Sequence, residues 1–224
     1  MSATFRSGLT AFSARIARRV IVLFAWIVTA PRSFWNGVAP LAVPRVYFAN
    51  HTSNGDFVLL WAALPVALRD RTRPVAAADY WLTSGLRSFI GRDVFNAVLI
   101  DRRPDHREND PVTQMVVALD AGASLILFPE GRRNAGDAPL LPFKTGLYHL
   151  SRQRPEVDLV PVWISNLNNV LPRGHVIPVP LMCSLTFGAP IRVGADEPKE
   201  AFLARAEAVL FGLAAPRSAE VAAE

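Results

Sequence analysis

The apolar run Ser124-Leu125-Ile126-Leu127 stops abruptly at Phe128-Pro129-Glu130-Gly131-Arg132-Arg133-Asn134. A short run without polar alternation reads as a buried strand, and charge appearing at its end points to a loop at the sheet's carboxyl edge. In open parallel sheets, backbone and side chains converge on a crevice beyond those edges, where ligands bind. Two guanidiniums there suit a phosphate, because each offers a planar fork of donors. A solvated turn with an ion pair from Glu130 to an arginine is the alternative for the same residues.

Alternating strands and helices extend this pattern along the chain. Arg45 to Ala49 reads as a strand, Asp56 to Leu68 as a helix and Pro74 to Ala78 as the next strand. Asp79 is placed to cap a helix reaching Ile90 and ended by Gly91, with Val94 to Ile100 extended after it. A charged loop, Asp101 to Asp110, precedes the best-defined helix: Asp110 caps it, Pro111 opens it, Val112, Met115, Val116 and Leu119 form its apolar face, and Gly122 closes it. Strands follow at Ser124 to Phe128, Leu159 to Ile164 and Leu181 to Phe187, with helices at Thr145 to Arg152 and Glu200 to Leu213. The order predicts an α/β fold, a largely parallel sheet covered by helices. Nothing repeats, and 224 residues suit one catalytic domain. The expected division is an interfacial segment at 1–32, the domain at 33–213 and a frayed tail at 214–224.

Asn50-His51-Thr52-Ser53-Asn54-Gly55-Asp56 sets an imidazole five residues before a carboxylate. In one continuous helix, positions five apart point about 140° away from each other. The turn and cap formers between them instead place His51 at a strand end and Asp56 in the first turn of the next helix. A carboxylate on one ring nitrogen fixes the tautomer and leaves the other nitrogen free to accept a proton. The plainer alternative is a helix N-terminus capped by Asn54, with Asp56 complementing the macrodipole.

Together these segments resemble the glycerolipid acyltransferases of the 1-acylglycerol-3-phosphate acyltransferase, or PlsC-like, family. The resemblance runs from about Arg45 to Pro190. His51 and Asp56 fit the family's His-x4-Asp element, and Val98-Leu99-Ile100-Asp101-Arg102 resembles its second. Phe128-Pro129-Glu130-Gly131 with Arg133 fits the third, and Leu159-Val160-Pro161-Val162 the fourth. Where the family usually has Thr-Arg-Ser, this chain has Arg132-Arg133-Asn134, which adds a charge and bears on the identity of the acceptor.

The resemblance implies a PlsC-like acyltransferase fold and an O-acyltransferase. It would move a fatty acyl group from acyl-CoA or acyl carrier protein, as co-substrate, to a lysophospholipid, most simply 1-acyl-sn-glycerol-3-phosphate. His51 is then the general base and Asp56 its orienter. Arg133 takes the acceptor phosphate, assisted by Arg102 and Lys144, while Glu130 and Gly131 shape the pocket and hold the glycerol hydroxyls. A different lyso-lipid or an amino-acid-containing lipid is the alternative acceptor, and a thioester hydrolase would use the same pair on water. No Gly-x-Ser-x-Gly elbow occurs, and Cys183 reads as a packed core thiol, so direct attack is expected over an acyl-enzyme. His106, His149 and His175 lack partners at metal-ligand spacing, and no phosphate-binding Gly-x4-Gly-Lys loop is present. No metal, other cofactor or nucleic-acid partner is expected.

A net charge of +5, carried almost wholly by arginine, favours anionic partners, and hydrophobic residues at 51% fit a protein resting on lipid. The apolar run Val20 to Ala30 is too short to span a bilayer, which takes about 20 residues. Phe5, Leu9, Phe12, Ile16 and Val20 recur at helical spacing, with Arg6, Arg15, Arg18 and Arg19 available to anionic head groups. The segment is read as a membrane-associating helix, giving a peripheral or monotopic protein on the cytoplasmic face of the cell membrane. A helix packed on the domain's own surface is the alternative.

Overall fold

The computed structural model describes residues 3–101, 110–170 and 179–214. Seven strands form one sheet: β1 (Arg32–Trp35), β2 (Arg45–Ala49), β3 (Thr72–Ala77), β4 (Val98–Ile100), β5 (Ser124–Leu127), β6 (Asp158–Ser165) and β7 (Ser184–Phe187), in the order β1-β7-β6-β2-β5-β3-β4. The strands from β6 to β4 in that order are mutually parallel, while β7 runs antiparallel to β6 and carries β1 parallel to itself. The largely parallel α/β sheet read from the sequence is the observed one.

β2 is buried along its whole length, and its side chains alternate between two cores. Tyr47 and Ala49, on the same face, pack with Leu59, Leu60 and Trp61 of helix α2 (Asp56–Ala63). Val46 and Phe48 face α6 (Pro111–Asp120), α7 (Gly146–Gln153) and α9 (Lys199–Gly212).

Helix α1 (Ala3–Thr29) closes the first of these cores. Ala14 and Ala25 are buried against the domain, with Ala17, Ile21 and Val28 packed beside them. Small residues let the helix approach closely. The opposite stripe, Leu9, Phe12, Ile16, Val20, Leu23 and Ile27, keeps the three- and four-residue spacing of one helix face and is exposed throughout. Arg15 and Arg19 are exposed, whereas Arg18 turns inward, donating to the Val94 carbonyl and lying over the Trp61 ring. Arg18 is thus withdrawn from the cationic set expected to meet head groups. The side chain of Arg6 lies outside the described residues.

Several expected boundaries move, for identifiable reasons. The helix expected from Asp56 to Leu68 ends at Ala63, because Pro65 holds Leu64 extended (φ −66°, ψ 143°) and a short α3 (Val66–Arg69) starts afterwards. The helix expected to run from Asp79 to Ile90 is two pieces, α4 (Ala78–Trp81) and α5 (Gly85–Phe89). Asp79 is not its cap: Ser84 is extended and its hydroxyl accepts the Arg87 N–H at 3.3 Å, starting a second helix. Gly91 does not end a helix, but lies inside a π turn, Ile90–Val94. Asn96, with φ of 49°, delays β4 until Val98. α6 follows expectation, with Asp110 accepting the Thr113 N–H at 2.9 Å, Pro111 in the first turn and Gly122 at φ +82°.

Candidate active site

β2 and β5 are neighbours in register, Phe48 level with Leu127, so three residues further His51 comes level with Glu130. The two charged loops therefore meet at one sheet edge. Asn50, 2% exposed, extends the pairing past β2 by donating from Nδ2 to the Ile164 carbonyl at 3.0 Å and accepting the Ile164 N–H at 2.8 Å. It fixes the point from which the His51 loop departs, a role no motif signals.

The turn brings imidazole and carboxylate together. His51 Nδ1 lies 2.8 Å from Asp56 Oδ2, and the same oxygen accepts the backbone N–H groups of Thr52 at 2.7 Å and Ser53 at 2.8 Å. Asp56 occupies the first turn of α2, whose cap position is Gly55; Asn54 does not serve as the cap. The carboxylate is 0% exposed, so it stays paired with donors and is screened little by water. With Asp56 as acceptor, Nδ1 carries the proton and Nε2 has the lone pair. The imidazole stacks on Phe128 with centroids 4.3 Å apart, which limits its rotation.

His51 lines a cavity of about 1340 Å³, large enough for a lipid. Gly131, Arg132, Arg133 and Lys144 line the same cavity. Among the described residues none of those three cations is ion-paired. Gly131 has φ +70°, and a Cβ there would sit 3.1 Å from Lys144 Cγ, so the glycine lets the lysine stem cross the loop. Much of the remaining wall is apolar and includes Phe24 and Val28 of α1 with Trp81, Ile90 and Phe95.

The expected site residues are distributed unevenly. His51 and Asp56 are paired, and Gly131, Arg133 and Lys144 surround the same space. Arg102 lies outside the described residues, as do His106 and His175. Glu130 is 1% exposed and directs both carboxylate oxygens at backbone: Oε1 accepts the His51 N–H at 2.7 Å and Oε2 the Leu141 N–H at 2.9 Å. Burial raises its pKa, and those two N–H donors oppose the rise. Arg132, the charge added where the family usually has Thr, is exposed and stands on the cavity wall beside Arg133.

Cys183 is buried in the α1 side core, where desolvation, with a smaller effect from the Asp56 charge, pushes its thiol up to about 11. It is a packed thiol, poorly suited to nucleophilic attack. Among the described residues, no three His, Cys, Asp or Glu side chains are grouped to hold a metal ion. The geometry supplies an oriented imidazole, cations for an anionic group and an apolar recess, within one cavity.

The chain is similar to known proteins in sequence and in fold. The chain is 32% identical over 133 residues to the 1-acyl-sn-glycerol-3-phosphate acyltransferase alpha of Mus musculus, a match covering 57% of this chain and 42% of that one. It is 30% identical over 142 residues to the 1-acyl-sn-glycerol-3-phosphate acyltransferase of Salmonella typhimurium, covering 55% and 48%. The chain spans about half the length of these curated relatives. In fold it is similar to the crystal structure of the 1-acyl-sn-glycerophosphate (LPA) acyltransferase PlsC from Thermotoga maritima, with a TM-score of 0.67 and 21% identity, covering 94% of this chain and 88% of that one. The family described as Acyltransferase matches residues 36–165, a span that contains the paired His51 and Asp56 and the whole cationic loop. The chain belongs to that acyltransferase family.

Proposed function

We propose that this protein transfers a fatty acyl group from an acyl thioester to the free hydroxyl of 1-acyl-sn-glycerol-3-phosphate, giving phosphatidic acid. The observation that carries the reading is the 2.8 Å pairing of His51 Nδ1 with Asp56, in a cavity that also holds Arg132, Arg133 and Lys144. The printed names of the relatives support the same acceptor.

In this mechanism the acceptor hydroxyl gives its proton to His51 Nε2 as its oxygen bonds to the thioester carbonyl carbon. The carbon–sulfur bond then breaks and the electron pair leaves on sulfur, which takes the proton from His51. A thiolate with an intrinsic pKa of about 8.5 leaves without a strong acid, so one base suffices. Asp56 stabilises the transient imidazolium. Arg133, aided by Arg132 and Lys144, holds the acceptor phosphate, and the apolar recess takes acyl chain. Acyl-CoA and acyl carrier protein both fit as donors, since both present a thioester.

The enzyme acts at a lipid surface on the cytoplasmic face of the cell membrane, held there by α1. Among the described residues no helix is long and apolar enough to cross a membrane. The exposed stripe of α1 continues into Val179, Leu181 and Met182, also exposed, in a segment tied to the helix end by the Leu181 N–H to Val28 carbonyl bond at 3.2 Å and the Cys183 N–H to Thr29 carbonyl bond at 2.8 Å. Exposed Arg15 and Arg19 complement anionic head groups.

The test incubates purified protein with both donor classes across a set of lyso-lipids and reads the products by mass. Phosphatidic acid from 1-acyl-sn-glycerol-3-phosphate is expected as the main product. Free fatty acid alone would identify a hydrolase and overturn the reading. A product with another acceptor only would trace to the additional Arg132 charge.

A further inference from the structure

The loop after β5 grips the backbone of His51 from two directions. The His51 N–H donates to Glu130 Oε1 at 2.7 Å, and the His51 carbonyl accepts the Asn134 N–H at 2.6 Å. Glu130 also accepts the Leu141 N–H through its other oxygen, at 2.9 Å. Asn134 folds the loop between them, its Nδ2 donating to the Ala138 carbonyl at 2.6 Å and its Oδ1 accepting the Gly136 N–H at 3.0 Å. Between these two grips stand Arg132 and Arg133, on the cavity wall.

Glu130 itself is turned away from that wall. Its neighbours Pro129 and Gly131 line the cavity, while its carboxylate is enclosed, with both oxygens engaged by backbone donors. A group holding substrate hydroxyls would need a lone pair facing the cavity. This one faces the main chain.

We propose that Glu130 is a positioning residue: it clamps the main chain of the general base to the phosphate-binding loop and makes no contact with the acceptor. This rests on the acyl-transfer reading above. Its consequence is that base and phosphate cradle form one rigid unit, so that an acceptor held at Arg133 finds His51 at a fixed distance. Loss of the clamp leaves the cations able to bind while the imidazole drifts. Misplacement of a reacting group by about 1 Å lowers rate by about 10²-fold.

Glu130→Gln tests the proposal, because the amide has one acceptor oxygen and an NH₂ that cannot accept from a backbone N–H. One half of the clamp must open. The expected result is a kcat reduced by about 10²-fold, with the KM for the lysophospholipid unchanged, whereas Arg133→Ala gives the reverse pattern. A Glu130→Gln variant with raised acceptor KM and preserved kcat would overturn the proposal and return Glu130 to substrate binding. Asn134→Ala keeps the backbone N–H that holds His51 but removes the side-chain bonds to Ala138 and Gly136 that fold the loop; it lowers kcat in the same way and replaces the first variant if that one does not fold.

Hydrogen exchange in the free protein supplies a readout independent of turnover. The amide of His51 or that of Leu141, whichever loses the remaining oxygen, exchanges faster in Glu130→Gln than in the parent, and equal protection of both amides in the two proteins would overturn the clamp. If the parent transfers no acyl group at all, the functional reading fails while the exchange result still decides the role of Glu130.

Discussion

At the scale of single residues, the site depends on a few atoms whose neighbours leave little freedom. Asp56 Oδ2 gathers three N–H donors, two from backbone and one from His51, so a side chain without a matching acceptor strands buried donors at about 1–3 kcal/mol each. Gly131 carries a different constraint. At φ +70° an alanine pays roughly 1–2 kcal/mol for the left-handed conformation, and its Cβ meets Lys144 Cγ at 3.1 Å. Gly131→Ala is therefore expected to be destabilised by about 1–2 kcal/mol, seen as a lower urea midpoint with an unchanged m-value. An unchanged midpoint would mean that the loop relaxes to another conformation. The His51 and Asp56 pairing was legible before any coordinates, because Thr52 to Gly55 are turn formers and the spacing forbids a continuous helix. The burial of Glu130 was not, since its two partners are backbone groups at positions 51 and 141, and main-chain donors leave no mark in side-chain chemistry.

At the scale of elements, the parallel strands could be read because their apolar runs end sharply, and α6 because Asp110, Pro111 and Gly122 mark its ends. The Ala78–Phe89 region was harder. Thr83 and Ser84 interrupt an apolar pattern that otherwise has helical spacing, and the local hydrogen bond from Arg87 to Ser84 wins over continuation. β1 was missed because Arg32–Trp35 alternates exposed and half-buried positions at a sheet edge, where pairing with β7 supplies the order. α1 has two apolar faces, one in the core and one exposed, so periodicity alone could not choose between an interfacial helix and a packed one. Removing the helix would take away Ala14 and Ala25 and uncover the core beneath them, which makes truncation a poor test of anchoring. Leu23→Glu combined with Ile27→Glu is the sharper change, since these side chains are 61% and 68% exposed. Flotation with anionic vesicles is expected to retain the parent and release the variant with its fold intact by circular dichroism. Full retention of the variant would contradict the lipid contact.

At the scale of the whole molecule, the sheet separates two cores with different duties. The α1 and α2 side lines most of the apolar recess, while the α6, α7 and α9 side holds the back of the sheet and reaches the cavity through Val112, Met115 and Leu147. An ion pair fastens that back: Glu197 accepts from Arg205 Nε at 2.8 Å and Nη2 at 2.7 Å, and from the Gly194 N–H at 2.9 Å, tying the turn before α9 to the helix. The Arg205 side chain, foremost, lowers the Glu197 pKa from 4.5 to about 2. A carboxyl whose folded pKa lies below its unfolded value stabilises above the unfolded value, and that contribution is lost as pH falls through the folded one. The Tm difference between the parent and Glu197→Gln is thus expected to be full above pH 4.5 and to close as pH approaches about 2. A difference constant across that window would show that ionisation of Glu197 adds nothing to stability.

The proposed reaction joins all three scales in the transfer of one proton from a lipid hydroxyl to His51. The most direct measurement is the initial rate of phosphatidic acid formation by purified His51→Ala and parent protein under identical donor and acceptor concentrations. Loss of a positioned general base predicts a fall of about 10² to 10⁴-fold with the melting temperature preserved. Transfer by the variant at the parent rate would remove His51 from the reaction and contradict the mechanism.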